Sequence, residues 1–156
     1  MIQVLFVCLG NICRSPSAEA VFKASIRKYG LDNEISCDSS GTSVYHEGES
    51  ADYRMKRFAS LRGYQLTGIS RKVLPETDFD RFDYIIGMDT QNVRNLKSIA
   101  RNDDDRQKIC LITDFCINGR HHSVPDPYYG GASGFELVLD ILEDACEGLI
   151  RKLQKK

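Results

Sequence analysis

The sequence predicts a single-domain α/β fold of three layers, with a four-stranded parallel sheet and a phosphate-binding loop after the first strand. Three observations predict it. Short β-branched and aromatic runs alternate with segments of helical period along residues 1–156. The first run, Ile2 to Cys8, is the apolar kind that a strand covered on both faces requires. A chain of 156 residues can also bury a core of its own, roughly 68 to 70% of its unfolded surface, without disulfides or a structural metal.

The elements follow in order. Ile2 to Cys8 is a strand that ends in a glycine-containing loop. Ser15 and Pro16 signal a helix start, and Ala18, Val21, Phe22, Ile26 and Tyr29 keep helical spacing until Gly30 stops the run. Ile35 to Asp38 is expected as a strand, Asp52 to Leu61 as a helix closed by Gly63, Tyr84 to Met88 as a strand and Thr90 to Ile99 as a helix. Ile109 to Thr113 is a further strand, followed by a long loop through Gly134. Ser133 and Glu136 have the spacing of a capping box for a last helix, whose stripe is Val138, Ile141, Leu142, Ala145 and Leu149. Asp103-Asp104-Asp105 reads as a solvated loop, and the basic C-terminal residues as cations favoured at a helix C-terminus.

With 21 Lys+Arg against 22 Asp+Glu the formal charge is -1, so no global field draws nucleic acid or an anionic membrane. Any anion site must be local. No stretch of 18 apolar residues occurs and the N-terminus has no basic, signal-like region, so the expected compartment is the cytoplasm and the six cysteines are expected as reduced thiols. Cys8 and Cys13 are not a C-x-x-C pair, and His121-His122 are adjacent, so neither a metal nor another cofactor is expected.

The chemistry concentrates in Cys8-Leu9-Gly10-Asn11-Ile12-Cys13-Arg14-Ser15. In an open parallel sheet ligands bind beyond the carboxyl ends of the strands, where this segment falls. A tight loop entering a helix N-terminus turns unpaired N–H groups inward, and the helix dipole adds positive charge. Gly10 and Asn11 tolerate the backbone angles of such a turn. Arg14 offers a planar fork matched to two phosphate oxygens. A thiol in that field ionises readily, which makes Cys8 a nucleophile facing an electrophile-binding loop. The bland alternative, a buried strand cysteine beside a solvated arginine, suits either residue alone better than the whole strand, loop, Arg-Ser-Pro and helix.

VCLGNICRSPSAEAVF, with DSSGTS, FDYIIGMD and PDPYYGG later in the chain, closely resembles the low-molecular-weight protein tyrosine phosphatases, from about Val4 to Leu149. The resemblance implies hydrolysis of phosphotyrosine and small aryl phosphates through a phosphocysteine: Cys8 attacks phosphorus, Arg14 binds the phosphoryl oxygens and Asp126 protonates the leaving phenol. Leu9, Gly10, Asn11, Ile12, Cys13 and Ser15 would complete the phosphate loop, Ser15 easing departure of the thiolate. Asn11 and Ser39 would brace it, while Tyr45, Tyr128 and Tyr129 would wall the substrate cleft. Cys13 would pair with the nucleophile under oxidation, and tyrosine-phosphorylated proteins would be the partners. Taken alone, Asp126 before Pro127 is an ordinary turn signal, Ser39 ordinary turn chemistry and Ser15 a helix cap.

One departure stands out. Family members often carry a His in the segment aligned with Leu66 to Ser70, and this chain has none there, so its loop-bracing bond must be absent or replaced. The competing readings are a phosphoarginine phosphatase, which usually has Thr where Ile12 stands, an arsenate reductase, and a non-catalytic phosphate-binding module. Cys110 and Cys116 do not resemble the reductase's relay, and a binding module needs neither Cys8 nor Asp126.

Overall fold

The computed structural model describes residues 1–43, 45–119, 121–127 and 131–155. Four parallel strands form one sheet: β1 (Ile2–Cys8), β2 (Ile35–Gly41), β3 (Tyr84–Gly87) and β4 (Ile109–Leu111), in the order β2-β1-β3-β4. Six helices are described: α1 (Arg14–Lys28), α2 (Tyr53–Leu61), α3 (Pro75–Arg81), α4 (Thr90–Ile99), α5 (Asp103–Gln107) and α6 (Ala132–Gln154).

Because successive strand residues face opposite ways, β1 feeds two cores. Val4, Phe6 and Cys8 pack in a cluster with Phe22 of α1 and Leu142, Cys146 and Leu149 of α6. Leu5 and Val7 join Phe79 of α3, Phe82 and Leu96 of α4 on the other face. Helices thus cover both faces, as the apolar first strand predicts. The register aligns Cys8 with Gly41 and Val7 with Gly87, so three strands end at one edge.

Helix α4 matches its expected bounds, with Asp89 accepting from Asn92 N at 2.7 Å in a capping box. Asp52 caps α2 through Arg54 N and Met55 N, and Gly30 and Gly63 take the positive φ that ends their helices. Other boundaries moved. Helix α1 begins at Arg14 with Cys13 at the capping position, so Ser15 lies inside the first turn instead of capping it. Helix α6 begins at Ala132, one residue before the expected cap; the Ser133 box does not form, and Glu136 pairs with Arg62 at 2.9 Å. Strand β2 runs three residues past Asp38, whereas β3 and β4 stop short, and Ile112–Phe115 curl into a 3-10 turn.

Two short helices went unforeseen. Pro75 at the first position begins α3, whose Phe79 is buried. The acidic run Asp103 to Asp105 forms α5 instead of a solvated loop, because Asn102 caps it through Asp105 N at 2.8 Å. Asp105 itself is buried and accepts from Arg101 N at 2.9 Å and Arg101 Nε at 2.8 Å. No helix among the described residues is long and apolar enough to cross a membrane, and all six cysteines are free thiols.

The hydrogen bonds from Arg101 hold the Asp105 carboxyl below its ordinary pKa. A depressed folded-state value means stability that is present above the ordinary carboxylate pKa and disappears as pH falls through the depressed one. Asp105→Asn is therefore expected to lose about 2 kcal/mol at neutral pH. Urea unfolding across an acid titration should show that deficit shrinking toward zero at low pH.

Candidate active site

The loop from Cys8 to Cys13 joins β1 to α1, and the carbonyls of Cys8, Leu9, Gly10, Ile12 and Cys13 are bonded outward. Thr42 N donates to Cys8 O and Ser43 N to Leu9 O, both at 3.0 Å, while Asp52 N reaches Ile12 O at 2.7 Å. Ser70 Oγ donates to Gly10 O at 2.8 Å and Ser17 Oγ to Cys13 O at 2.7 Å. With those carbonyls turned away, the loop's N–H groups are directed to the concave side, the arrangement of an anion nest. Asn11 N illustrates it, lying 3.3 Å from Cys8 Sγ.

Of the two residues expected to relieve backbone strain, only Asn11 does so, at φ 56°. Gly10 has no positive φ; it is small because a Cβ there would lie 2.9 Å from His46 Cδ2. The tighter approach belongs to Gly41, where a Cβ would stand 2.8 Å from Leu9 O and 3.1 Å from Asn11 N. Both clashes are with backbone, so the end of β2 needs glycine to let the loop sit against it.

Asn11 organises the interior of the turn. Its Oδ1 accepts from Arg71 N at 3.0 Å, and its Nδ2 donates to Ser15 Oγ at 2.8 Å and Ser39 Oγ at 3.0 Å. Ser15 Oγ is 3.0 Å from Cys8 Sγ. Ser39 stands within β2 instead of in a turn, and donates to Glu19 Oε1 at 2.6 Å. Ser70 and Arg71 hold the loop from one side, and Glu19 meets Ser39 directly. Beside Gly68, whose added Cβ would touch nothing within 4 Å, lies a cavity of about 300 Å³ bordered by Asn11, Glu19 and Ser39.

Arg14 is almost fully buried, its side chain 4% exposed. Its Nη1 donates to Asp89 Oδ2 at 2.6 Å and Val124 O at 3.1 Å, and its Nη2 is 3.6 Å from Asp126 Oδ2. Burial opposes the guanidinium charge, but the Cys8 sulfur, Asp89 and Asp126 outweigh it and raise the pKa above its ordinary value. Val124 N donates to Met88 O at 2.9 Å, which ties the loop bearing Asp126 to the end of β3. Asp126 is half-exposed, its side chain 44% accessible.

Burial, then Asp52 and Cys8, push the Cys13 thiol well above its ordinary pKa, which keeps it neutral. Cys8 and Cys13 both border a cleft of about 400 Å³ lined also by Leu9, Ile12, Arg14, Tyr45, His46 and Asp126. Tyr45 is 81% exposed and packs edge-on against His46, with ring centroids 4.7 Å apart. The expected cleft residues Tyr128 and Tyr129 lie outside the described residues.

A family model described as low molecular weight phosphotyrosine protein phosphatase matches residues 3–156. The chain belongs to this family. A low molecular weight phosphotyrosine protein phosphatase from Schizosaccharomyces pombe is 44% identical over 153 residues, covering 97% of each chain. A protein tyrosine phosphatase from Entamoeba histolytica, crystallised with Hepes in its active site, superposes with a TM-score of 0.96 at 51% identity, over 99% of this chain and 98% of that one. An arginine phosphatase from Drosophila shares the fold at a TM-score of 0.90 and 29% identity, over 97% of this chain and 98% of that one.

This member of the family contains site residues that the sequence reading missed: Asp89, His46, Ser70, Arg71 and Glu19. Asp89 carried a findable signal, since it precedes a helix at the carboxyl end of a strand. His46 and Glu19 carried none, because only packing brings them to the loop. Gly41→Ala is expected to displace the loop and weaken binding of inorganic phosphate about tenfold. Phosphorus-31 NMR titration reads that loss, with the circular dichroism of the helices unchanged.

Proposed function

We propose that this chain hydrolyses phosphotyrosine in proteins, and small aryl phosphates, through a phosphocysteine intermediate. The observation that carries the reading is convergence: Cys8 and Arg14 of the first loop and Asp126, more than 100 residues further along the chain, line one cleft at the carboxyl edge of the sheet. In the first step the Cys8 sulfur attacks phosphorus and the bond to the aryl oxygen breaks. Asp126 delivers its proton to that oxygen, since a phenolate whose conjugate acid has a pKa of about 10 is a poor leaving group at neutral pH. Arg14 and the loop N–H groups take the three phosphoryl oxygens, and their orientation before the reaction lowers the cost of the charge that develops.

In the second step Asp126, now a carboxylate, takes a proton from water as the water oxygen bonds to phosphorus. The sulfur–phosphorus bond breaks and inorganic phosphate leaves. Ser15 Oγ, 3.0 Å from the sulfur, donates to it as it regains negative charge. Asp89, 2.6 Å from Arg14 Nη1, anchors the fork. Ile12, apolar in the cleft wall, and Tyr45 at its rim favour an aryl group over a guanidinium phosphate. Cys13 is the proposed redox partner of Cys8, and six free thiols fit a reducing compartment such as the cytoplasm.

Cys8→Ser is expected to cut turnover of p-nitrophenyl phosphate by about four orders of magnitude or more while phosphate still binds. Undiminished turnover would remove the nucleophile from this account. Asp126→Asn is expected to slow phenyl phosphate about 10²-fold or more, and p-nitrophenyl phosphate much less, because the nitrophenolate leaves without help. Steady-state kinetics with the two esters checks the contrast.

A further inference from the structure

We infer that Glu19 is a positioning residue, which through Ser39, Asn11 and Ser15 aims a hydroxyl proton at the Cys8 sulfur. Its importance for turnover rests on the reading above; its effect on the sulfur does not.

The donors and acceptors along this chain fix where each hydrogen points. Arg71 N can only donate, so the Asn11 atom 3.0 Å from it is the carbonyl oxygen, and the Asn11 amide orientation is settled. Both Nδ2 hydrogens then point at Ser15 Oγ and Ser39 Oγ, at 2.8 and 3.0 Å. Each hydroxyl receives a hydrogen there, so its own hydrogen must go elsewhere. For Ser39 the acceptor is Glu19 Oε1 at 2.6 Å. For Ser15 two acceptors are in reach, Cys8 Sγ at 3.0 Å and Ser40 O at 3.2 Å. A negatively charged sulfur wins that competition, because hydrogen bonds to ionised acceptors are the stronger kind.

Glu19 is the far terminus of this hydrogen-bond chain and, like Ser39 of β2, comes from outside the loop. It stands on α1 with its side chain 16% exposed, and Lys23 Nζ lies 2.6 Å from its other oxygen. Asp38 and Cys37 of β2 also face this pair. An acceptor at this place draws the Ser39 proton away from Asn11, and so keeps Ser39 lone pairs toward Nδ2. Remove it and Ser39 is free to rotate, which loosens the amide that holds Asn11 at φ 56° and orients Ser15. Glu19 borders the cavity of about 300 Å³ next to Gly68, so altering it opens onto existing space instead of breaking a sealed core.

Glu19→Gln and Glu19→Met separate the acceptor from the charge, since both lose the Lys23 pair and only Gln keeps an oxygen for Ser39. The thiol is read directly by the pH dependence of Cys8 alkylation with iodoacetate, a measurement that needs no phosphatase activity. The other groups around that sulfur, Arg14, Asp89, Asp126, His46 and Cys13, are common to every variant. In Glu19→Met the alkylation profile is expected to move to higher pH, and kcat for p-nitrophenyl phosphate to fall about three- to tenfold with KM little changed. Glu19→Gln is expected to retain the wild-type profile and more than half of kcat. Gln and Met behaving alike, or a Met profile that stays in place, would overturn the assignment. If wild-type protein turned over no aryl phosphate, the hydrolytic reading would fail and the alkylation comparison would still decide the role of Glu19.

Discussion

A run of main-chain N–H groups can face one point only if the carbonyls between them are bonded somewhere else. That constraint governs this molecule. The outward partners of the loop come from four places: the strand end at Thr42 and Ser43, the start of α2 at Asp52, the Ser70-Arg71 segment and the first turn of α1. Each of these elements is itself set by packing on the sheet. The cradle is therefore a product of the whole domain rather than of its six residues, and Gly41, which carries no reactive group, matters because it lets strand and loop approach to backbone contact.

The second constraint is electrostatic. A nearly buried guanidinium is costly unless it is paired and hydrogen-bonded. Arg14 meets that requirement with Asp89, the carbonyl of Val124 and Asp126, and these come from the ends of β3 and the loop beyond β4. The pairing that keeps the charge buried also sets the plane of the fork. Asp89 does double service as helix cap and arginine partner. The proposed acid is the most exposed of the three partners, which leaves it room to exchange protons with substrate and water. Cys13 is held neutral by burial and neighbouring negative charge.

Parallel topology, the helix stripes and the reactive segment were legible in the sequence because each depends on local period or contiguous spacing. Val4 to Val7 are buried on both sheet faces, as an apolar first strand requires, and Thr90–Ile99 is opened by its own capping box. Misreadings arose where a local signal met a tertiary competitor. Ser15 has the chemistry of a helix cap, but its hydroxyl is claimed by Cys8 and Asn11. Ser133 and Glu136 have capping spacing, but Arg62 claims the glutamate. The aspartates at 103 to 105 suggest solvation, yet Arg101 draws one of them inside.

By itself the sequence determined the chain order of the four strands and the four longer helices, the placement of a thiol, a fork and a hydroxyl at one helix start, and the family to which they belong. Those features are encoded within a few residues of one another, so period and composition suffice to read them. Only the tertiary structure decided that Asp126 meets Arg14, that Gly41 makes a close approach to the backbone of the loop, and that Glu19 stands where Ser39 needs an acceptor. These are contacts between segments 20 to more than 100 residues apart. They exist because side chains compete for a limited number of hydrogen-bond partners in the folded interior, and no one segment contains the terms of that competition.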